Sequence, residues 1–233
     1  MGQNQEPALI YYGGAFDPPH VGHALCVRLV RQRFPNARIL IAPSYVAPGL
    51  RGVPKNCEAS FEDRMNMARL ALESPVSTQD DGDVAVVDYE ANLPTPSYTV
   101  QALEALRRQY PETPLGLVMG YDQLRDFSRW QNPRRILDLV VLVIINRGAG
   151  DPISLMEVAI AGPLGGQVNW NPGEQMGQIA ELAARIFFVG GETTAASSTE
   201  IRQRLKNQED LPAGWLSNSV KAYIKQKNLY QRD

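Results

Sequence analysis

The segment Gly13-Gly14-Ala15-Phe16-Asp17-Pro18-Pro19-His20-Val21-Gly22-His23 constrains the fold more than any other stretch of the chain. A short apolar run, Ala8–Tyr12, enters it, and a helical pattern, Val21–Phe34, leaves it. A strand that passes through glycines into a helix is how a parallel α/β sheet turns backbone amides toward a phosphate. Glycine at 13 and 14 lets the backbone come close where a Cβ would collide. The same loop holds His20 and His23, the two histidines of the sequence. Three residues apart, they share one face of the first helical turn. An ordinary turn has use for glycine and proline, but none for paired imidazoles.

The rest of the chain continues the alternation. Arg38–Ala42, Val84–Asp88, Leu115–Met119, Leu139–Ile145 and Arg185–Val189 read as buried strands. Helical patterns lie between them at Phe61–Glu73, at Tyr98–Tyr110 and in a short stretch from about Asp122. Ser60 with Asp63 has the form of a capping box, and Ser97 after Pro96 is the expected N-cap of the next helix. Strands alternating with helices predict an α/β fold, a doubly wound parallel sheet, whose ligands bind outside the carboxyl ends of the strands. Gly13, Gly120 and Gly190 all fall at such ends. Residues 43–56 carry three prolines and two glycines and read as a mobile loop. Residues 148–177, rich in Gly and Pro, read as an irregular excursion with one short helix near 154–160. The expected organisation is one domain over 8–196 and a small C-terminal helical segment over 197–230, with helices at 198–207 and 217–227.

Charge and composition narrow the function classes. A formal net charge of −2 gives no global basic field, and no basic patch is interleaved with aromatics, so no nucleic acid is expected as partner. No apolar run approaches the ~18 residues that span a membrane. The N-terminus lacks the basic region of a secretory signal, and Glu6 stands where a myristoylation signal has Ser or Thr. Cys26 and Cys57 match no metal or redox spacing. A cytoplasmic protein with two free thiols is expected, and a homo-oligomer stays open.

A second signal lies near the other end, Ser197-Ser198-Thr199-Glu200-Ile201-Arg202. Ser197 with Glu200 again has capping-box form, so the helix start offers free amides and its positive dipole end to an anion. Arg202 adds a guanidinium able to grip a phosphate with two bonds.

The two segments together resemble the signatures of the nucleotidylyltransferase superfamily, Gly-Gly-Thr/Ser-Phe-Asp-Pro-x-His-x-Gly-His and Ser-Ser/Ala-Thr-x-Ile-Arg. Pro96-Ser97-Tyr98-Thr99 and Gly120-Tyr121-Asp122-Gln123-Leu124, followed by Phe127 and Trp130, are similar to bacterial nicotinate mononucleotide adenylyltransferases. The resemblance runs from about Leu9 to Tyr230. It implies a Rossmann-like fold and the transfer of AMP from ATP to nicotinate mononucleotide, with Mg²⁺ carried on the ATP phosphates and no metal site of the protein's own. The partners it implies are ATP and a pyridine mononucleotide.

The resemblance also assigns roles. His20, His23 and Arg202 are the catalytic candidates, with His23 nearest the reacting α-phosphate. Gly13, Gly14, Ala15, Phe16, Gly120, Asp122, Ser198, Thr199 and Ile201 fall on the ATP side, although Phe16 by itself reads as core and Asp17 as an acceptor for helix N-terminal amides. Tyr98, Thr99 and Trp130 form the pyridine pocket, with Arg147, and more loosely Arg134, for the mononucleotide phosphate. Two alternatives stay open: the same chemistry on nicotinamide mononucleotide, and a nucleotide-binding protein without catalysis. Three places depart from the family. Ala15 lacks the usual hydroxyl, and Ala195-Ala196 replace a polar residue and Ile. Val46-Ala47-Pro48-Gly49-Leu50 stands where relatives often have Pro-Pro-His-Lys/Arg, leaving Arg51 and Lys55 to replace the charge.

Overall fold

In the computed structural model, which describes residues 6–46, 56–73, 84–146, 151–192 and 194–231, eight strands form one sheet. They are β1 (Leu9–Gly14), β2 (Arg38–Pro43), β3 (Val84–Val86), β4 (Leu115–Gly120), β5 (Val141–Asn146), β6 (Val168–Asn171), β7 (Met176–Ile179) and β8 (Ala184–Gly190). Their order is β3-β2-β1-β4-β5-β8-β7-β6. β1 pairs parallel with β4, β4 with β5 and β5 with β8, while β7 runs antiparallel to β8 and β6 to β7. The α/β fold read from the sequence is present, as a mostly parallel sheet. Its central strands are continuous apolar runs because both faces are covered: Leu9–Tyr11, Leu117–Met119 and Leu142–Ile145 are all buried.

The longer helices are α1 (Val21–Arg33), α2 (Phe61–Ala68), α3 (Thr99–Gln109), α8 (Ser198–Lys206) and α9 (Asn218–Gln226). Shorter ones are α4 (Tyr121–Arg125), α5 (Pro133–Leu139), α6 (Pro152–Met156) and α7 (Gly162–Leu164). α2 runs on through a π-helical turn, Arg69–Glu73. Ser60 caps α2 as expected, accepting from the Asp63 amide and donating to its carboxylate. Ser97 does not cap α3. Its hydroxyl donates instead to the buried Glu90 carboxylate at 2.6 Å. The cap position belongs to Tyr98, whose amide is taken by the Gln101 side chain at 2.9 Å.

Residues 152–182 are more regular than their composition predicts. Asp151 caps α6, a π-helical turn (Glu157–Ala161) follows, and β6 and β7 form a hairpin that extends the sheet. The Asn171 side chain accepts from the Gly173 and Glu174 amides and closes the hairpin turn. A Cβ on Gly177 would lie 2.1 Å from Met156 Sδ, so the glycine marks close packing and not a break in the strand. α5 was also absent from the sequence reading. It starts with Pro133 in the first turn, which suits that position, and ends at Leu139, where a strand was expected to begin.

The chain divides into two units. One holds residues 6–12, 29–39 and 98–192; the other holds 13–28, 40–97 and 194–231. In the first, Phe34 meets Phe187 edge-on at 5.4 Å and Arg107 ties its helix to the Leu139 carbonyl at 2.8 Å. In the second, α9 joins α2 through the Tyr223 hydroxyl, which donates to Asp63 at 2.9 Å and accepts from Asn66 at 3.1 Å. No helix among the described residues is long and apolar enough to cross a membrane.

Candidate active site

The second unit brings together the first motif and the second. Gly14 leaves room for the Phe16 ring, which would stand 3.2 Å from a Cβ there. Phe16 takes a left-handed backbone angle, φ 50°, and is buried. Its ring lies 5.0 Å from that of His23, so Phe16 is core that supports a histidine. Ala15 and Ser44 are anchored from below by Arg64. That buried guanidinium donates to the carbonyls of Ala15 (2.8 Å), Ser44 (2.7 Å) and Ala59 (3.3 Å), and it faces the Phe61 ring.

The two imidazoles are held by backbone amides. The Gly22 amide donates to His20 Nδ1 at 3.1 Å, and the His20 amide donates to His23 Nδ1 at 3.1 Å. An Nδ1 that accepts an amide proton carries none itself, so each neutral ring keeps its proton on Nε2. The rings stand 4.0 Å apart between centroids. Gly22 explains the glycine between them: a Cβ there would meet His20 Cε1 at 2.8 Å and Thr194 Cγ2 at 3.1 Å. The expected shared face of the helical turn is observed, and the loop's geometry also selects the tautomer.

Asp17 is the hub of this unit. Its carboxylate accepts from the Glu58 amide (2.8 Å), the Ala59 amide (3.1 Å) and the Tyr230 hydroxyl (2.7 Å). The amide acceptor role expected for Asp17 is therefore observed, just before α2. Burial pushes the Tyr230 hydroxyl far above its ordinary range, and the Asp17 charge adds to this. The Asp17 carbonyl accepts from Arg202 at 2.6 Å, and the Pro18 carbonyl from the Ser198 hydroxyl at 2.9 Å. α8 is thus pinned to the first motif by two of its own motif residues. Ser197 caps α8 through the Glu200 amide, while the Glu200 carboxylate turns to Arg204, so the capping box is half made. Thr199 is exposed and Ile201 fully buried, which leaves Ile201 only its backbone to offer a ligand.

Arg202 Nε also pairs with Glu58 at 3.0 Å, and Lys206 with the other Glu58 oxygen at 2.7 Å. Burial pushes the Glu58 carboxyl up, but Lys206 and Arg202 outweigh it and hold the group below its usual range. No three His, Cys, Asp or Glu side chains gather into a metal cage among the described residues.

The remaining candidates lie in the first unit. Gly120 ends β4 and caps α4, its amide taken by Gln123 at 3.0 Å. Asp122 follows in the first turn, exposed. Tyr98 and Thr99 open α3 and are half-buried. Trp130 packs on Phe127 with ring centroids 5.7 Å apart. Arg134 donates to the Leu164 carbonyl. Arg147, Arg51 and Lys55 lie outside the described residues. Sequence reading missed Arg64, Glu58, Lys206 and Tyr230. Arg64 bonds backbone carbonyls, which no spacing reveals, and Tyr230 meets Asp17 across 213 positions.

Comparison with known proteins shows the family of the chain. Residues 11–204 match the model of the cytidylyltransferase-like family. A probable nicotinate-nucleotide adenylyltransferase of Aeromonas salmonicida is 32% identical over 222 residues, 95% of this chain and 96% of that protein. One of Aquifex aeolicus is 36% identical over 138 residues, 59% of this chain and 76% of that protein. Among solved structures, Plasmodium falciparum nicotinic acid mononucleotide adenylyltransferase complexed with APC superposes with a TM-score of 0.69. It covers 97% of this chain and 98% of its own at 16% identity, a likeness of fold. The chain belongs to the cytidylyltransferase-like family and, within it, to the nicotinate-nucleotide adenylyltransferases.

Proposed function

We propose that this protein transfers AMP from ATP to nicotinate mononucleotide, giving nicotinate adenine dinucleotide and pyrophosphate. A phosphate oxygen of the mononucleotide attacks the α-phosphorus, and the bond from that phosphorus to the bridging oxygen of the β-phosphate breaks. Such a reaction asks a protein for alignment and charge stabilisation more than for covalent chemistry. His20 and His23 direct Nε2–H donors at the oxygens of the reacting phosphate, His23 nearest. The backbone of Gly13, Gly14 and Ala15 lies against the nucleotide, and Ser198, Thr199 and Arg202 take the β- and γ-phosphates. Asp122, beside Gly120, accepts from ribose hydroxyls. Tyr98, Thr99 and Trp130 receive the pyridine ring, and Arg147 the mononucleotide phosphate.

Nucleotidyltransferases of this kind generally use a divalent metal with ATP, and Mg²⁺ is proposed here. Asp17, the carboxylate of the first motif, is already committed to two amides and a hydroxyl. That suits an ion held by phosphate oxygens and water instead. When bound, it would neutralise charge on the phosphates.

The observation that carries the reading is the pair of amide bonds to His20 and His23 Nδ1, which leaves a fixed donor on each ring. His23→Ala tests it. Turnover is expected to fall by roughly 10²-fold or more, as for other lost transition-state donors. Unchanged turnover would remove the mechanism.

A further inference from the structure

The terminal phosphates of a triphosphate carry several negative charges and Arg202 only one positive charge, which raises the question of where a second cation could sit. Arg202 and Lys206 are four apart on α8 and so share one face. A single carboxylate spans them: one Glu58 oxygen lies 3.0 Å from Arg202 Nε, the other 2.7 Å from Lys206 Nζ. Two oxygens of one anion bridging two cations is also what a phosphate group does. The Glu58 backbone is fixed by Asp17, so the carboxylate is not there by chance drift. Its side chain is 36% exposed, and it can swing into water at small cost. Arg202 keeps its place when that happens, because it still donates to the Asp17 carbonyl at 2.6 Å and lies 4.0 Å from the Asp17 carboxylate.

We propose that Lys206 is a second cation of the triphosphate subsite, and that Glu58 occupies this subsite until the terminal phosphates of ATP displace it. The inference rests on the reading that Arg202 grips phosphate. It also makes the site selective: a single weakly held anion gains little by displacing Glu58, whereas a triphosphate meets both cations at once.

The test is calorimetric binding of inorganic tripolyphosphate, and of ATP, to the full chain without mononucleotide, so that no turnover enters. Glu58→Gln keeps an oxygen for Arg202 but removes the charge, and it is expected to bind tripolyphosphate about twofold to fivefold tighter. Glu58→Asp, too short to bridge both cations, is expected to shift in the same direction. Lys206→Gln is expected to bind about twofold to fivefold weaker. Circular dichroism checks that each variant is folded. Weaker or unchanged binding in both Glu58 variants would overturn the displacement, and unchanged binding in Lys206→Gln would overturn the second cation. Unchanged binding in Arg202→Gln would instead sink the underlying reading of Arg202.

Discussion

The Tyr230 hydroxyl donates to Asp17 Oδ1 at 2.7 Å, joining the C-terminal end of the described chain to the loop that carries the paired histidines. The same carboxylate orders the Glu58 and Ala59 amides, so one buried charge sets the start of α2 as well as the first motif. Tyr230→Phe removes one bond to a charged acceptor and leaves the amides in place. A loss of about 2 kcal/mol in denaturant unfolding is expected. The pH dependence has a definite sign. The folded hydroxyl titrates above the ordinary 10.0, chiefly through burial and then through Asp17. Its contribution is therefore fully present below pH ~10 and is lost as pH rises beyond that. The variant is expected to show a flatter alkaline decline in stability than the wild type, and an equally steep decline would contradict the assignment.

Gly22→Ala is a change that normally favours a helix, by about 1 kcal/mol. Here the new Cβ meets the His20 ring at 2.8 Å. Thermal stability is expected to change little, while turnover falls roughly 10-fold to 10²-fold because the imidazole is displaced. Equal stability with wild-type turnover would show that the position of His20 is not critical.

His20→Asn separates capping from chemistry. An Asn oxygen can accept from the Gly22 amide as Nδ1 does, since Asn is a good cap. Nothing replaces the Nε2 donor. Unfolding within about 0.5 kcal/mol of wild type is expected, with kcat down roughly 10²-fold. A variant that keeps its rate would reduce His20 to a cap.

Arg64→Met leaves the Ala15, Ser44 and Ala59 carbonyls without their shared donor. A cost of about 3 kcal/mol or more is expected. Arg64→Lys keeps the charge but not the fork. It is expected to fold and to show a raised KM for ATP, because Ala15 is no longer held. A KM equal to wild type would confine Arg64 to stability.

The sheet and both motifs were legible because they depend on local signals. Continuous apolar runs such as Val141–Ile145 and the Gly and His spacing of residues 13–23 need no knowledge of distant partners. α5 was hidden by the same kind of signal: Ile136 to Ile145 is nearly all apolar, so the change from helix to strand at Val140 leaves no mark in the pattern. The β6–β7 hairpin was hidden by Gly and Pro that serve its turn and the packing of Met156. By sequence position alone, Lys206 is one more charge in the last turn of a helix. Its pairing with Glu58 spans most of the chain, and spacing carries no information about such contacts.

The central claim is tested most directly by pyrophosphate release from ATP and Mg²⁺ with the two mononucleotides offered separately. A large preference in kcat/KM for nicotinate mononucleotide is the expected result. Preference for the nicotinamide form would keep the adenylyl transfer and contradict the substrate. Release with neither would contradict the account as a whole.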